Sequence, residues 1–246
     1  MGLKKVIKRS LIKMNHKFSS KLKIEDKKII ITGSNSGIGL EITKILLKNN
    51  QIISIVNNRK NEVDKIKNNN LQILQQNLED NQYSDIFTNK IKEFRPNIVI
   101  NCAATFGPER QNFLDLDIEK FNKVLNVNFF SILRILQYSY LGNNLNQVVN
   151  ITSQMGSISQ NKKGGFNYYR LSKTLINAFS KNLDLELKNK NINVFCIFPG
   201  SVKTKMNSAG LMPPEVCAQK LINIISKNNN DLSGKFINLN EETIQW

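Results

Sequence analysis

Tyr169 and Lys173 stand four residues apart in a stretch whose apolar spacing predicts a helix, so both side chains leave the same face. A free phenol titrates at about 10 and is a poor base at neutral pH. An ammonium one turn away favours the phenolate and brings the phenolic proton into the range of general acid–base chemistry. A second stretch with chemical content lies far upstream. Thr32-Gly33-Ser34-Asn35-Ser36-Gly37-Ile38-Gly39 follows an apolar run and opens a helical pattern. Gly33 suits a tight turn, Gly37 lets backbone approach a diphosphate, and Gly39 lets the helix pack close to a strand. The free N–H groups and positive dipole end of that helix would hold the phosphates.

Alternating strand and helix patterns must position these residues. Strands are predicted at 28–32, 51–56, 71–74, 97–103, 147–151, 191–198 and 234–239. Helices are predicted at 38–48, 85–94, 117–140, 168–187 and 214–227, with Asp117 as an N-cap and Pro96 ending the second. The strands are continuous apolar runs, which implies burial on both faces and a parallel sheet between helical layers. Right-handed crossovers then make a doubly wound, Rossmann-like α/β fold, whose ligands bind outside the carboxyl ends of the strands. No repeat or linker divides the chain. It reads as a basic extension, 1–27, followed by one domain, 28–246.

Composition narrows the function. The chain has 246 residues and a net charge of +16, from 35 Lys+Arg against 19 Asp+Glu. Residues 1–23 carry Lys4, Lys5, Lys8, Arg9, Lys13, Lys17, Lys21 and Lys23 and no acid. That segment reads either as an arm for an acidic surface or an address signal, or as a solvated tail. Its lack of an apolar core argues against secretion, so a cytoplasmic enzyme is expected, with organelle targeting left open. No apolar run is long enough to span a membrane. The three cysteines, Cys102, Cys196 and Cys217, form no CxxC pair, and His16 is the only histidine. Metal sites and a Ser-His-Asp hydrolase are therefore not expected.

The spacing TGxxxGIG resembles that of the short-chain dehydrogenase/reductase family, and further motifs follow in the family's order. Asn101-Cys102-Ala103-Ala104 resembles NNAG. Asn128, in Val127-Asn128-Phe129, matches a mid-helix asparagine. Ser153 follows the fifth strand, Tyr169 and Lys173 form YxxxK, and Pro199-Gly200-Ser201-Val202-Lys203-Thr204 resembles PGxVxT. The resemblance covers residues 28–246. Within the family the chain resembles the C-factor-like or sniffer-like carbonyl reductases, through Gly156-Ser157-Ile158, the Tyr168–Lys173 segment and the ending from Gly234 to Trp246.

The resemblance implies an NAD(P)(H)-dependent oxidoreductase that reduces an aldehyde or ketone to an alcohol. Tyr169 would be the general acid/base and Ser153 would hold the substrate oxygen, with Thr152 and Ser157 as alternatives. Lys173 would also hold the nicotinamide ribose, and Asn128 a water that links Lys173 to solvent. Ser153 lies 16 residues before Tyr169, a longer spacing than the family's, so the intervening loop around Lys162–Gly165 is expected to bulge. Cofactor contacts are expected from Gly33, Ser34, Asn35, Gly37, Ile38, Gly39, Asn77, Leu78, Asn101, Ala103, Tyr169, Lys173, Pro199, Gly200, Val202 and Thr204.

The second strand ends in Val56-Asn57-Asn58-Arg59, without the acid that would grip ribose hydroxyls and select NAD. Arg59 suits a 2′-phosphate, which favours NADP(H) over NAD; Asn58 is the alternative contact. Two departures from the family stand out: Asn77 replaces an acid after the third strand, and Cys102 and Ala104 alter NNAG. Met206, Leu211 and Met212 read as pocket walls or as core. The partner expected is a small carbonyl or alcohol, not nucleic acid. A homodimer or homotetramer would form through helices 117–140 and 168–187. The competing reading is a nucleotide sensor on the same fold without turnover.

Overall fold

A computed structural model describes residues 24–57, 62–228 and 230–246. Its seven strands are β1 (Lys28–Thr32), β2 (Gln51–Val56), β3 (Leu71–Gln75), β4 (Ile98–Asn101), β5 (Gln147–Ile151), β6 (Asn193–Phe198) and β7 (Phe236–Asn238). They form one parallel sheet in the order β3-β2-β1-β4-β5-β6-β7. The helices are α1 (Gly37–Leu46), α2 (Asp85–Phe94), α3 (Ile118–Leu125), α4 (Ser131–Leu141), α5 (Asn167–Leu187) and α6 (Pro214–Ser226). This is the doubly wound Rossmann-like fold expected, in a single domain.

The two-residue period of the strands divides the core. Ile29 and Ile31 of β1 pack with Ile42 and Leu46 of α1 and with Leu221, Ile222 and Ile225 of α6. Ile30 between them packs on the other face with Phe87 and Ile91 of α2, Ile132 and Ile135 of α4, and Ile176 of α5. Ile24, ahead of the expected domain start at Lys28, is buried in the first of these clusters. The basic segment 1–23 lies outside the described residues.

Three element boundaries differ from the sequence expectation for physical reasons. β4 stops at Asn101, because the Cys102 and Ala103 amides turn to the Thr32 hydroxyl, at 3.1 and 3.0 Å, rather than to a neighbouring strand. β6 starts at Asn193, because Asn191 takes a left-handed conformation (φ 54°) at the end of a short 3-10 turn. The helix expected over 117–140 is interrupted by a π-helical turn at Asn126–Phe130. Such a turn inserts one extra residue and is common at functional sites. Here it carries Asn128, fully buried.

Candidate active site

The motifs converge on one crevice of about 480 Å³ at the carboxyl ends of the strands. Its phosphate end is built by the turn between β1 and α1. Gly33 has φ +71°, and a Cβ there would lie 2.7 Å from the Ala103 backbone. Gly37 has φ +58° and faces the Thr204 methyl. A Cβ on Gly39 would meet the Gly33 carbonyl at 2.5 Å, so α1 lies hard against the turn. Ser36, the N-cap of α1, makes no side-chain cap, and the first turn carries no acid. Its amides are thus left for an anion. The cradle fits a dinucleotide diphosphate.

The catalytic candidates stand at the other end. Ser153 follows β5 and caps the 3-10 turn Gln154–Gly156, accepting from the Met155 amide at 3.1 Å. Gly156 presses that turn onto α5, where a Cβ would come within 2.8 Å of the Lys173 carbonyl carbon. Ser153 therefore sits opposite the first turns of α5, on the side of the Tyr169 phenol, whose pKa it lowers. The residues that lengthen the Ser153–Tyr169 spacing, Gln160–Gly164, are exposed and bulge outward.

Lys173 is 2% exposed. Its Nζ donates to the Ile151 carbonyl at 3.2 Å and lies 5.5 Å from the centre of the Tyr169 ring. Burial pulls its ammonium down to about 8. Burial raises the Tyr169 phenol above its ordinary value, and the Ser153 hydrogen bond works in the opposite direction. The expected lowering of the phenol by the lysine is not seen: burial raises it, and the opposing influence is Ser153 rather than Lys173. Cys102 lines the crevice as a neutral thiol, pushed up to about 12 by burial.

Asn128 reaches out of the π turn to Thr105, the residue where the chain leaves β4. Its Oδ1 accepts from the Thr105 amide at 2.7 Å, and its Nδ2 donates to the Thr105 carbonyl and to Ser172 Oγ, both at 2.9 Å. The extra residue of the turn aims this amide at the crevice wall. Tyr168 is fully buried; its hydroxyl accepts from the Asp117 amide at 2.6 Å and donates to the Asp115 carbonyl at 3.2 Å.

The crevice is lined by Gly33, Asn35, Gly37, Ile38, Gly39, Asn77, Leu78, Ala103, Tyr169, Lys173, Pro199 and Thr204 among the residues read from sequence. Ser34 turns inward, its hydroxyl on the Ile31 carbonyl. Asn101 donates to Asn150 inside the sheet at 2.7 Å. Val202 is buried in a bridge to Met212, and Gly200 shapes the turn after β6 (φ +78°) without lining the crevice. Arg59 and Asn58 lie outside the described residues. Sequence reading missed Ser36, Ile55, Asn57, Glu79, Thr105, Val127, Ile151 and Lys205, which also line the crevice. Most sit one position beside a motif residue, and only the three-dimensional path of the strand ends reveals them.

Residues 27–211 match the short chain dehydrogenase family, and the chain belongs to that family of oxidoreductases. Over 182 residues it is 30% identical to the probable short-chain type dehydrogenase/reductase VdlC of Helicobacter pylori; the match covers 71% of this chain and 65% of VdlC, just under two thirds of its length. In fold it resembles the carbonyl reductase Sniffer of D. melanogaster, with a TM-score of 0.80 at 23% identity over 90% of this chain and all of that one. The NADPH-bound carbonyl reductase from chicken fatty liver superposes with a TM-score of 0.77 at 20% identity over 91% of this chain and all of that one. Other proteins of similar structure hold NADP or NADH. Among the described residues no helix is long and apolar enough to cross a membrane.

Proposed function

We propose that the protein is an NADPH-dependent reductase of an aldehyde or ketone, of the C-factor-like or sniffer-like kind, with Tyr169 as the general acid. The observation that carries this reading is Tyr169 with the buried Lys173 ammonium 5.5 Å from its ring at one end of a crevice whose other end is a glycine-lined anion cradle.

A bound nicotinamide dinucleotide supplies the hydride. Tyr169 gives its phenolic proton to the substrate oxygen as the carbonyl carbon becomes an alcohol carbon. Ser153 donates a hydrogen bond to the same oxygen and steadies the charge that develops there. The phenolate left on Tyr169 is stabilised by the Lys173 ammonium, itself oriented by the Ile151 carbonyl. Lys173 also stands where the nicotinamide ribose would lie, and Thr204 lines the crevice beside Gly37 for the carboxamide. Asn128 is the proposed holder of a water that returns the proton to Tyr169 through Lys173.

The preference for NADPH rests on Arg59 and on the lack of an acid at the end of β2. One observation favours NADH instead: Glu79, after β3, reaches the same crevice and its carboxylate could accept from ribose hydroxyls. The test is consumption of NADPH and NADH with a panel of small aldehydes and ketones, beside Tyr169→Phe. Turnover with NADPH that the variant lacks supports the reading; dinucleotide binding without turnover on any carbonyl would favour a sensor on this fold.

A further inference from the structure

The helix that carries Tyr169 starts without a cap of its own. Its N-cap position is Phe166, which holds a left-handed backbone (φ 52°, ψ 40°) and supplies no side-chain acceptor. For a bulky residue that conformation is strained, and it persists only where the surroundings over-determine it. The turn that Phe166 opens is held by Gln111, which is 2% exposed and lies 58 residues upstream of Tyr169.

Gln111 supplies the missing acceptors twice. Its backbone carbonyl accepts from the Asn167 amide at 3.1 Å and from Asn167 Nδ2 at 2.8 Å. Its Oε1 accepts from the Tyr169 amide at 3.2 Å. Both N–H groups belong to the first turn of α5, where no intrahelical partner exists. The same side chain works in the other direction: its Nε2 donates to the carbonyls of Phe106 at 2.9 Å and Pro108 at 2.7 Å. Both donors and the carbonyl oxygen of the amide group are used between the catalytic helix and the loop that follows β4. That loop places the Phe106 ring 4.9 Å from the Tyr169 ring and 5.4 Å from the Phe166 ring.

We propose that Gln111 is a positioning residue for the reaction. It caps the catalytic helix from a distant loop and fixes the Tyr169 ring and its aromatic neighbour Phe106 as one unit. The proposal rests on the reading of Tyr169 as the general acid. Displacing a reacting group by about 1 Å costs on the order of a hundredfold in rate. Loss of the amide would therefore act mainly on kcat and leave dinucleotide affinity alone, since the phosphate cradle is at the far end of the crevice.

Two variants and two readouts test it. In the full chain, Gln111→Met keeps the volume and removes the polar contacts of the side chain while its backbone carbonyl stays, and Gln111→Glu keeps an acceptor for the Tyr169 amide and loses the two donors. The expected result for Gln111→Met is a fall in kcat of about tenfold to a hundredfold, unchanged NADPH affinity, and faster hydrogen exchange at the Tyr169 amide. Gln111→Glu retains protection of that amide. Its carboxylate near the phenol moves the alkaline limb of the kcat–pH profile upward. Wild-type kcat and wild-type amide protection in Gln111→Met would overturn the proposal. If the wild-type protein turns over no carbonyl, the reading of Tyr169 fails, yet amide exchange still decides whether Gln111 caps the helix.

Discussion

Lys173 Nζ lies 5.5 Å from the centre of the Tyr169 ring, yet among the described residues its hydrogen bond goes to the Ile151 carbonyl. The strand end, not the phenol, thus sets where the ammonium stands. Replacing Tyr169 by Phe removes the proposed proton donor without disturbing that arrangement. Turnover should fall by about a hundredfold to ten-thousandfold, while NADPH still binds. Steady-state rates beside a fluorescence titration of the cofactor check both halves.

Lys173 is costly to bury. Its folded pKa is about 8 against an ordinary value of 10.5, so between those values the unfolded chain binds more protons. The penalty is fully present below pH 8 and fades as pH rises toward 10.5. Lys173→Met should therefore abolish activity and raise apoprotein stability, on the order of a few kcal/mol near neutrality. The gain should shrink above pH 8. Urea melts of both proteins across pH measure it; a gain that grew with pH would contradict the assignment.

Ser153 affects the reaction in two ways. In the proposed reaction its hydroxyl holds the substrate oxygen, and its presence beside Tyr169 offsets part of the rise that burial causes. Ser153→Ala should lower kcat by about a hundredfold to a thousandfold. It should also shift the alkaline limb of the pH–rate profile upward, because only the burial effect remains. A profile that moved downward would show that another group sets the phenol.

Gly33 and Gly37 should respond differently to alanine. At Gly33 the new methyl meets backbone atoms of Ala103 at 2.7 Å, and φ is +71°. Destabilisation of about 1–3 kcal/mol is expected from the backbone conformation alone, with the clash added. At Gly37 the contact is the Thr204 methyl at 3.1 Å, a side chain that can give way. Gly37→Ala should fold with a smaller loss and bind dinucleotide weakly. Thermal melts with and without NADPH separate the two.

The proposed preference for NADPH rests on Arg59. Arg59→Ala should raise the KM for NADPH by about tenfold or more, the worth of one charged hydrogen bond, and leave that for NADH nearly unchanged. The ratio of the two kcat/KM values is the measurement.

The sequence by itself determined the parallel sheet and its helical covers, because buried strands need unbroken apolar runs and helices need a 3.6-residue stripe. It also determined the Gly33–Gly39 turn and the Tyr169–Lys173 pair, whose members are close along the chain. Only the tertiary structure decided what depends on distant segments meeting. It turned Asn128 inward through a π turn, sent Asn101 and Ser34 away from the crevice, and brought Glu79 to it. It also set Gln111 beneath the helix that starts at Asn167. No local pattern marks such residues, since a glutamine's hydrogen bonds depend on which carbonyls and amides the fold leaves unpaired around it.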